Sequence, residues 1–205
     1  IYSEASGEYE MSTFYLEDYM DWVFLNGHND ILIDPRGELL VEWDQYTGYN
    51  ASHVPIYMNQ MTNAPWAYAR FKAFNKLYFN IYDEDSLNMF YAVGLKDAFH
   101  KNRLNVLESM NESVGYAVEF DADPSNLFSS EVLGLVQKLA TSDSNYAVQA
   151  EALKVLVAVD ANAHRDFFTK ALSSPSIAVT AEAMMAMADI DLDKALPYAE
   201  KEQNT

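Results

Sequence analysis

The chain has no cysteine, which removes disulfide frameworks, thiol nucleophiles and cysteine zinc sites together. Basic residues are scarce: 13 Lys and Arg stand against 31 Asp and Glu, for a formal charge of −18. A phosphate backbone would be repelled rather than neutralised, so nucleic acid is set aside as a partner. No apolar run approaches the ~20 residues that cross a bilayer. The apolar stretch near Leu153 to Val159 is short and sits in a helical pattern, so no membrane span is expected. The start lacks a basic segment followed by an apolar one, the mark of a signal peptide. Ile1 cannot be an initiator methionine, which reads as a mature product or a piece of something longer.

Catalytic signatures are missing as well. There is no H-E-x-x-H, no G-x-S-x-G elbow and no phosphate-binding glycine loop. His28, His53, His100 and His164 lie far apart, none at the four-residue spacing that puts two imidazoles on one helix face, and they read as surface or partly buried residues. Asp189, Asp191 and Asp193 with Glu200 imitate a calcium loop, but Lys194 stands where the sharp turn needs glycine. Asp193 reads instead as a helix cap. Asn50-Ala51-Ser52 and Asn111-Glu112-Ser113 match the glycosylation pattern, a common chance hit. Nothing in this set assembles an active site.

What is present is pattern. Half of the residues are hydrophobic, enough for one good core or two modest ones. The first fifty residues read as strands. Tyr9 to Tyr15 alternates, Trp22 to Leu25 runs into the turn dipeptide Asn26-Gly27, and Ile31-Leu32-Ile33 and Leu39 to Trp43 flank Asp34-Pro35-Arg36-Gly37 as a hairpin. These strands alone cannot cover both faces of a sheet, so residues 1–50 read as a small antiparallel β segment, the remnant of a β-sandwich. From residue 51 the period changes to near 3.6 and stays helical to residue 205.

Within that helical part the chain repeats itself. Ala147-Val148-Gln149-Ala150-Glu151-Ala152-Leu153 returns as Ala178-Val179-Thr180-Ala181-Glu182-Ala183-Met184, and two weaker copies lie upstream at Arg70 and Arg103. Counted from the anchors Arg70, Arg103, Gln149 and Thr180, the third residue on is Ala73, Val106, Ala152 or Ala183. The fourth is Phe74, Leu107, Leu153 or Met184, and the seventh Leu77, Met110, Leu156 or Met187. That spacing is one face of a helix. The anchors are 33, 46 and 31 residues apart, and a long loop from Glu112 to Asn126 accounts for the wide middle interval.

Partner helices are expected at His53 to Met61, Asp85 to Leu95, Ser129 to Ala140 and Asn162 to Leu172, with another from about Asp193. Ser130, Asn162 and Asp193 are the expected caps. Helix pairs at this repeat length predict a mainly α fold, a HEAT-like α-α superhelix in which each pair buries its face by stacking on its neighbours. A small residue at the third position lets stacked helices approach closely. Arg70 and Arg103 form a candidate pair of substrate-binding residues, since a guanidinium on successive repeats could clamp a carboxylate such as a peptide C-terminus. The competing reading, given more weight, has them bond to helix ends or to a neighbouring acid. Tyr68, Tyr78, Tyr82 and Tyr91 read as core and groove wall.

One succession of segments carries a resemblance. Asp34-Pro35-Arg36-Gly37-Glu38-Leu39-Leu40 is followed by Asn63-Ala64-Pro65 leading to Arg70, and by Lys96-Asp97-Ala98-Phe99 leading to Arg103. Asp143 to Val148 then leads to Ala152-Leu153, and Ala171 to Ser176 leads to Ala183-Met184. This order resembles the C-terminal part of bacterial aminopeptidase N-like zinc metallopeptidases of the gluzincin group. It runs from about Phe24 onward and consists of repeat-type patterns rather than a catalytic fingerprint.

The resemblance implies a non-catalytic C-terminal module, the end of a β-sandwich plus a HEAT-like helical domain. Such a module shapes substrate access to an upstream catalytic domain of the same polypeptide that is absent from this chain. Its partners would be that domain and the parent enzyme's peptide substrates, and zinc would belong to the parent alone. The zinc-binding H-E-x-x-H and the G-x-M-E-N segment are absent, so no catalytic or metal residue carries over. Export of family members points to the periplasm or the exterior, with the cytoplasm left open. The alternative reading is a free-standing HEAT-like scaffold that grips a protein partner, a common use of helical repeats.

Overall fold

The computed structural model describes residues 2–3, 8–9 and 54–203 of the chain. Contacts divide the chain into two compact units, residues 1–76 and 77–205. In the first unit, strands β1 (Tyr2–Ser3) and β2 (Glu8–Tyr9) pair antiparallel, Tyr2 opposite Tyr9 and Ser3 opposite Glu8. The strands and the hairpin expected beyond Tyr9 lie outside the described residues, as do His28 and His53. Helix α1 (Val54–Asn63) follows, and helix α2 (Ala67–Tyr78) begins in the first unit and ends in the second.

The second unit is helical throughout its described length. After α2 come α3 (Glu84–Gly94), α4 (His100–Glu119), a 3-10 turn at Pro124–Asn126, α5 (Ser130–Ser142) and α6 (Tyr146–Asp160). The chain then forms α7 (Arg165–Ala171), α8 (Ile177–Ile190) and α9 (Leu192–Gln203). Helices α4, α6 and α8 stack in succession as one layer, and α3, α5 and α7 follow one another as the other. Each pair therefore covers its apolar face with the next pair, the arrangement of a helical-repeat stack.

The repeat register sits where burial is greatest. Ala73, Ala152 and Ala183 are fully buried at the third position, and Leu77, Met110, Leu156 and Met187 are fully buried at the seventh. At the fourth position Phe74, Leu107 and Leu153 are buried, whereas Met184 is only half-buried. A methyl side chain at the third position brings neighbouring backbones close, and the longer residue beside it fills the space the approach leaves.

Several boundaries differ from those expected. The expected loop Glu112 to Asn126 is mostly helix, because α4 continues through Glu119 and keeps Val114 and Ala117 buried. Gly115 lies on an exposed face of that helix, where an added Cβ would meet nothing within 4 Å, so it ends nothing. The helix stops instead at Asp121, whose φ is 58°. There the Ala122 amide donates to Ala117 and the Asp121 amide to Val118, closing a Schellman turn with aspartate at the left-handed position.

The caps shift for equally local reasons. Ser129 rather than Ser130 caps α5, its hydroxyl accepting from the Val132 amide. Asn162 lies in the turn before α7, where Asp160 accepts from the Ala163 amide in its place. Asp193 sits inside the first turn of α9, since α8 closes at Asp191 and α9 starts at once at Leu192.

Candidate functional site: the linkers between paired helices

In each repeat a short linker joins the first helix of the pair, termed outer, to the second, termed inner, and the anchor residue on the second reaches back to it. Arg70 Nη1 donates to the Ala64 carbonyl at 2.7 Å, and Arg103 Nη1 to the Asp97 carbonyl at 2.7 Å. Gln149 Nε2 donates to the Asp143 carbonyl at 2.6 Å, and Thr180 Oγ1 to the Ser174 carbonyl at 3.1 Å. The bond spans six residues every time (70 − 64, 103 − 97, 149 − 143, 180 − 174). Each inner helix also begins three residues before its anchor, at Ala67, His100, Tyr146 and Ile177.

The residue whose carbonyl is held closes its own turn. Asp97 accepts from the Phe99 amide at 2.7 Å, Asp143 from Asn145 at 2.8 Å and Ser174 from Ser176 at 3.2 Å. A short oxygen-bearing side chain two residues before an N-terminal helix position makes this turn without tertiary help. Ala64 has no such oxygen, and in that repeat Arg70 adds a second bond to the Pro65 carbonyl at 3.2 Å.

Arg103 does more than Gln149 and Thr180. Nε and Nη2 grip both carboxylate oxygens of Asp143 at 2.7 and 2.8 Å, while Nη1 also reaches the Ala98 carbonyl at 3.1 Å. The ion pair joins α4 to the linker ahead of α6, with side chains 11% and 4% exposed. A planar fork matched to a carboxylate in this geometry carries direction as well as charge. Arg70 and Arg103 thus each clasp a linker of their own repeat, one in each compact unit.

A second polar line follows the inner helices. Asn111 donates to Glu151 at 2.7 Å, Lys154 bonds Glu151 at 2.9 Å and lies 3.6 Å from Glu182. Lys154 is held above its usual value mainly by its hydrogen bond to Glu151. Burial pushes Glu108 up, with Glu151 adding to the effect. Asn111 of the glycosylation pattern is therefore a hydrogen-bonded mid-helix residue, while Asn50 lies outside the described residues. Asp191 stands 3.8 Å from Arg165. Among the described residues no group of three or more His, Asp or Glu is placed to hold a metal ion.

Sequence reasoning missed two features. Asn88 of α3 donates to the Leu127 carbonyl at 3.1 Å and accepts from the Ser129 amide at 2.6 Å, stapling the turn that precedes α5. No spacing pattern announces such a contact. The other feature is a cleft of about 340 Å³ bordered by Gln149, Ser174, Tyr146 and Lys170, between the start of α6 and the linker that follows α7.

Fold and linkers together define a helical-repeat protein. Residues 132–201, which hold α5 to α9, match the family of HEAT repeats. No curated protein and no solved structure gives a match to the chain. Among the described residues no helix is long and apolar enough to cross a membrane.

Proposed function

We propose that this chain is a non-catalytic helical-repeat scaffold whose inner helices present a surface to a protein partner. The observation that carries the reading is the repeated linker clasp. Four unlike anchors, Arg70, Arg103, Gln149 and Thr180, hold the carbonyl six residues back, so their chemistry serves the angle between paired helices rather than a reaction. Arg70 and Arg103 are assigned to the scaffold, since Arg103 already places four hydrogen bonds within the fold. The scaffold domain is taken as residues 51–205, after a β segment at 1–50. Purified chain incubated with aminoacyl and peptide substrates should show no hydrolysis and hold no stoichiometric zinc; robust turnover would sink the reading.

The order of a β piece followed by helical repeats favours a more specific version, in which the scaffold is the C-terminal module of an aminopeptidase N-like zinc enzyme. In that version the repeats shape peptide access to a catalytic domain elsewhere in the polypeptide. The discriminating measurement is an immunoblot of the source organism with an antibody against residues after Asn50. A band several times larger than 23.2 kDa supports the enzyme module, and one at 23.2 kDa supports a scaffold that works alone.

A further inference from the structure

The turn after α2, Leu87 of α3 and the C-terminal half of α4 border a cleft of about 220 Å³. That is several times the ~30 Å³ of one water in the liquid. Three of its walls are aromatic and strongly exposed: Tyr82 at 79%, Tyr116 at 62% and Phe79 at 59%. Large apolar side chains held open around one concavity mark a binding surface more often than a gap in packing. One of them is anchored. The Tyr82 hydroxyl donates to the Phe79 carbonyl at 2.7 Å, which ties the two aromatic residues of the turn to each other.

The lining also holds Leu87 and the hydroxyl-bearing Tyr78 and Ser113. Tyr78 donates to the Ser109 carbonyl at 3.0 Å, and the Tyr91 and Ser113 hydroxyls share a bond of 2.8 Å. Burial raises both phenols above the usual tyrosine range, so each stays neutral and in its bonding role. Glu112 also lines the cleft. Its nearest phenol contact, Tyr78 at 3.4 Å, competes with the shorter bond to Ser109 for a single proton. Glu112 has no ion pair with any described residue, although its helix neighbour Asn111 and the acids Glu151 and Glu182 are all engaged.

An exposed carboxylate without an ion pair, lining one cleft with three aromatic side chains, offers a cation both a counter-charge and ring surfaces. A metal ion would need oxygen or nitrogen ligands that the rings do not supply, whereas an ammonium or guanidinium on an alkyl stem uses both the rings and the acid. We infer that the cleft formed by Phe79, Tyr82, Tyr116 and Glu112 receives a lysine or arginine side chain from a basic segment of the partner protein. The −18 charge of the chain favours the approach of such a segment. The inference deepens the scaffold reading and rests on it.

The test uses the full 205-residue chain, labelled with nitrogen-15 and titrated with capped lysine methylamide, capped arginine methylamide and capped norleucine methylamide. The two cationic probes should shift the amides of Tyr82, Ser113 and Tyr116, and the uncharged norleucine probe should not. Glu112→Gln and Tyr82→Ala should each weaken the cationic probes at least fivefold. Tyr116→Phe, which keeps the ring, should leave them unchanged. Because Glu112 and Tyr82 are exposed, both variants are expected to melt with the parent protein, and Tyr116→Phe provides an independent check if one does not.

Equal shifts with norleucine, or cationic binding that ignores Glu112→Gln, would overturn the inference. So would a hexalysine peptide that moves only amides of α6 and α8. None of these outcomes touches the scaffold reading, which fails on its own readout, hydrolysis by the purified chain.

Discussion

The repeat anchored at Arg103 and the repeats anchored at Gln149 and Thr180 solve one problem with different chemistry. All three hold the linker carbonyl six residues back, and all three bury a small or branched residue at the third position of the inner helix. Only Arg103 also reaches the following repeat, gripping Asp143 through a nearly buried fork. Gln149 and Thr180 end at their own linkers, and beside Gln149 lies the open cleft between Tyr146 and Lys170. The difference separates two functions of the anchor. Fixing the angle within a pair needs one donor; joining consecutive pairs needs a fork and an acid.

The comparison is broken most severely at Asp143. Asp143→Ala leaves the Arg103 guanidinium buried without its carboxylate and removes the acceptor of the Asn145 amide, so a loss of about 3 to 5 kcal/mol is expected by urea denaturation. Thr180→Val, which deletes a neutral bond in the later repeat, should cost only about 1 kcal/mol in the same assay. Similar losses for the two variants would remove the distinction between them.

The shared part of the design is tested by Ala152→Leu and Ala183→Leu. Each overfills a position with no exposed surface and should destabilise by roughly 1 to 3 kcal/mol, whichever anchor stands beside it. An unchanged melting temperature would show that the stacking register is wrong. To sharpen the contrast, Gln149→Arg combined with Ser174→Asp installs the missing fork where both residues border the cleft. The double variant should gain about 1 kcal/mol over either single change, read as a coupling in a double-mutant cycle.

The smallest expected effect separates the repeats by acid. His164, at the start of α7, is held below its usual value by burial, with Asp160 partly opposing. The unfolded chain therefore takes up the proton first as pH falls. Stability from the neutral ring is complete above the ordinary histidine value of about 6.5 and is lost as pH falls through the lower folded value. Melting temperature should decline from pH 7.5 to 5.5, and less steeply in His164→Gln, if the ring and not a carboxylate is responsible.

The helical periodicity, the copy positions and the buried face at the third, fourth and seventh residues were all legible in the sequence, because side-chain size recurs there. The clasp was not. Arg, Arg, Gln and Thr share no chemistry beyond an N–H or O–H donor, and their common bond is visible only once the linker backbone is in place. Helix ends were misplaced for a related reason. Adjacent candidates such as Ser129 and Ser130 are equivalent as letters, and the backbone angle of one residue decides between them. Asp123-Pro124-Ser125 and the wide interval between anchors suggested a loop from Glu112, yet the buried Val114 and Ala117 carried α4 onward. The aromatic cleft fell partly within that supposed loop, which is why Tyr116 and Glu112 escaped notice together.

The Arg103 fork also has a consequence for the protein under load. It bridges α4 and the linker before α6, so tension that draws the later repeats away must break two short charged bonds before α4 is disturbed. No described residue places a comparable clamp between α6 and α8, where Lys154 contributes only a half-exposed contact at 3.6 Å. Stretched in an optical trap, the chain should peel from its C-terminal repeats at low force and resist at the Arg103 clamp, giving a solenoid that yields from one end.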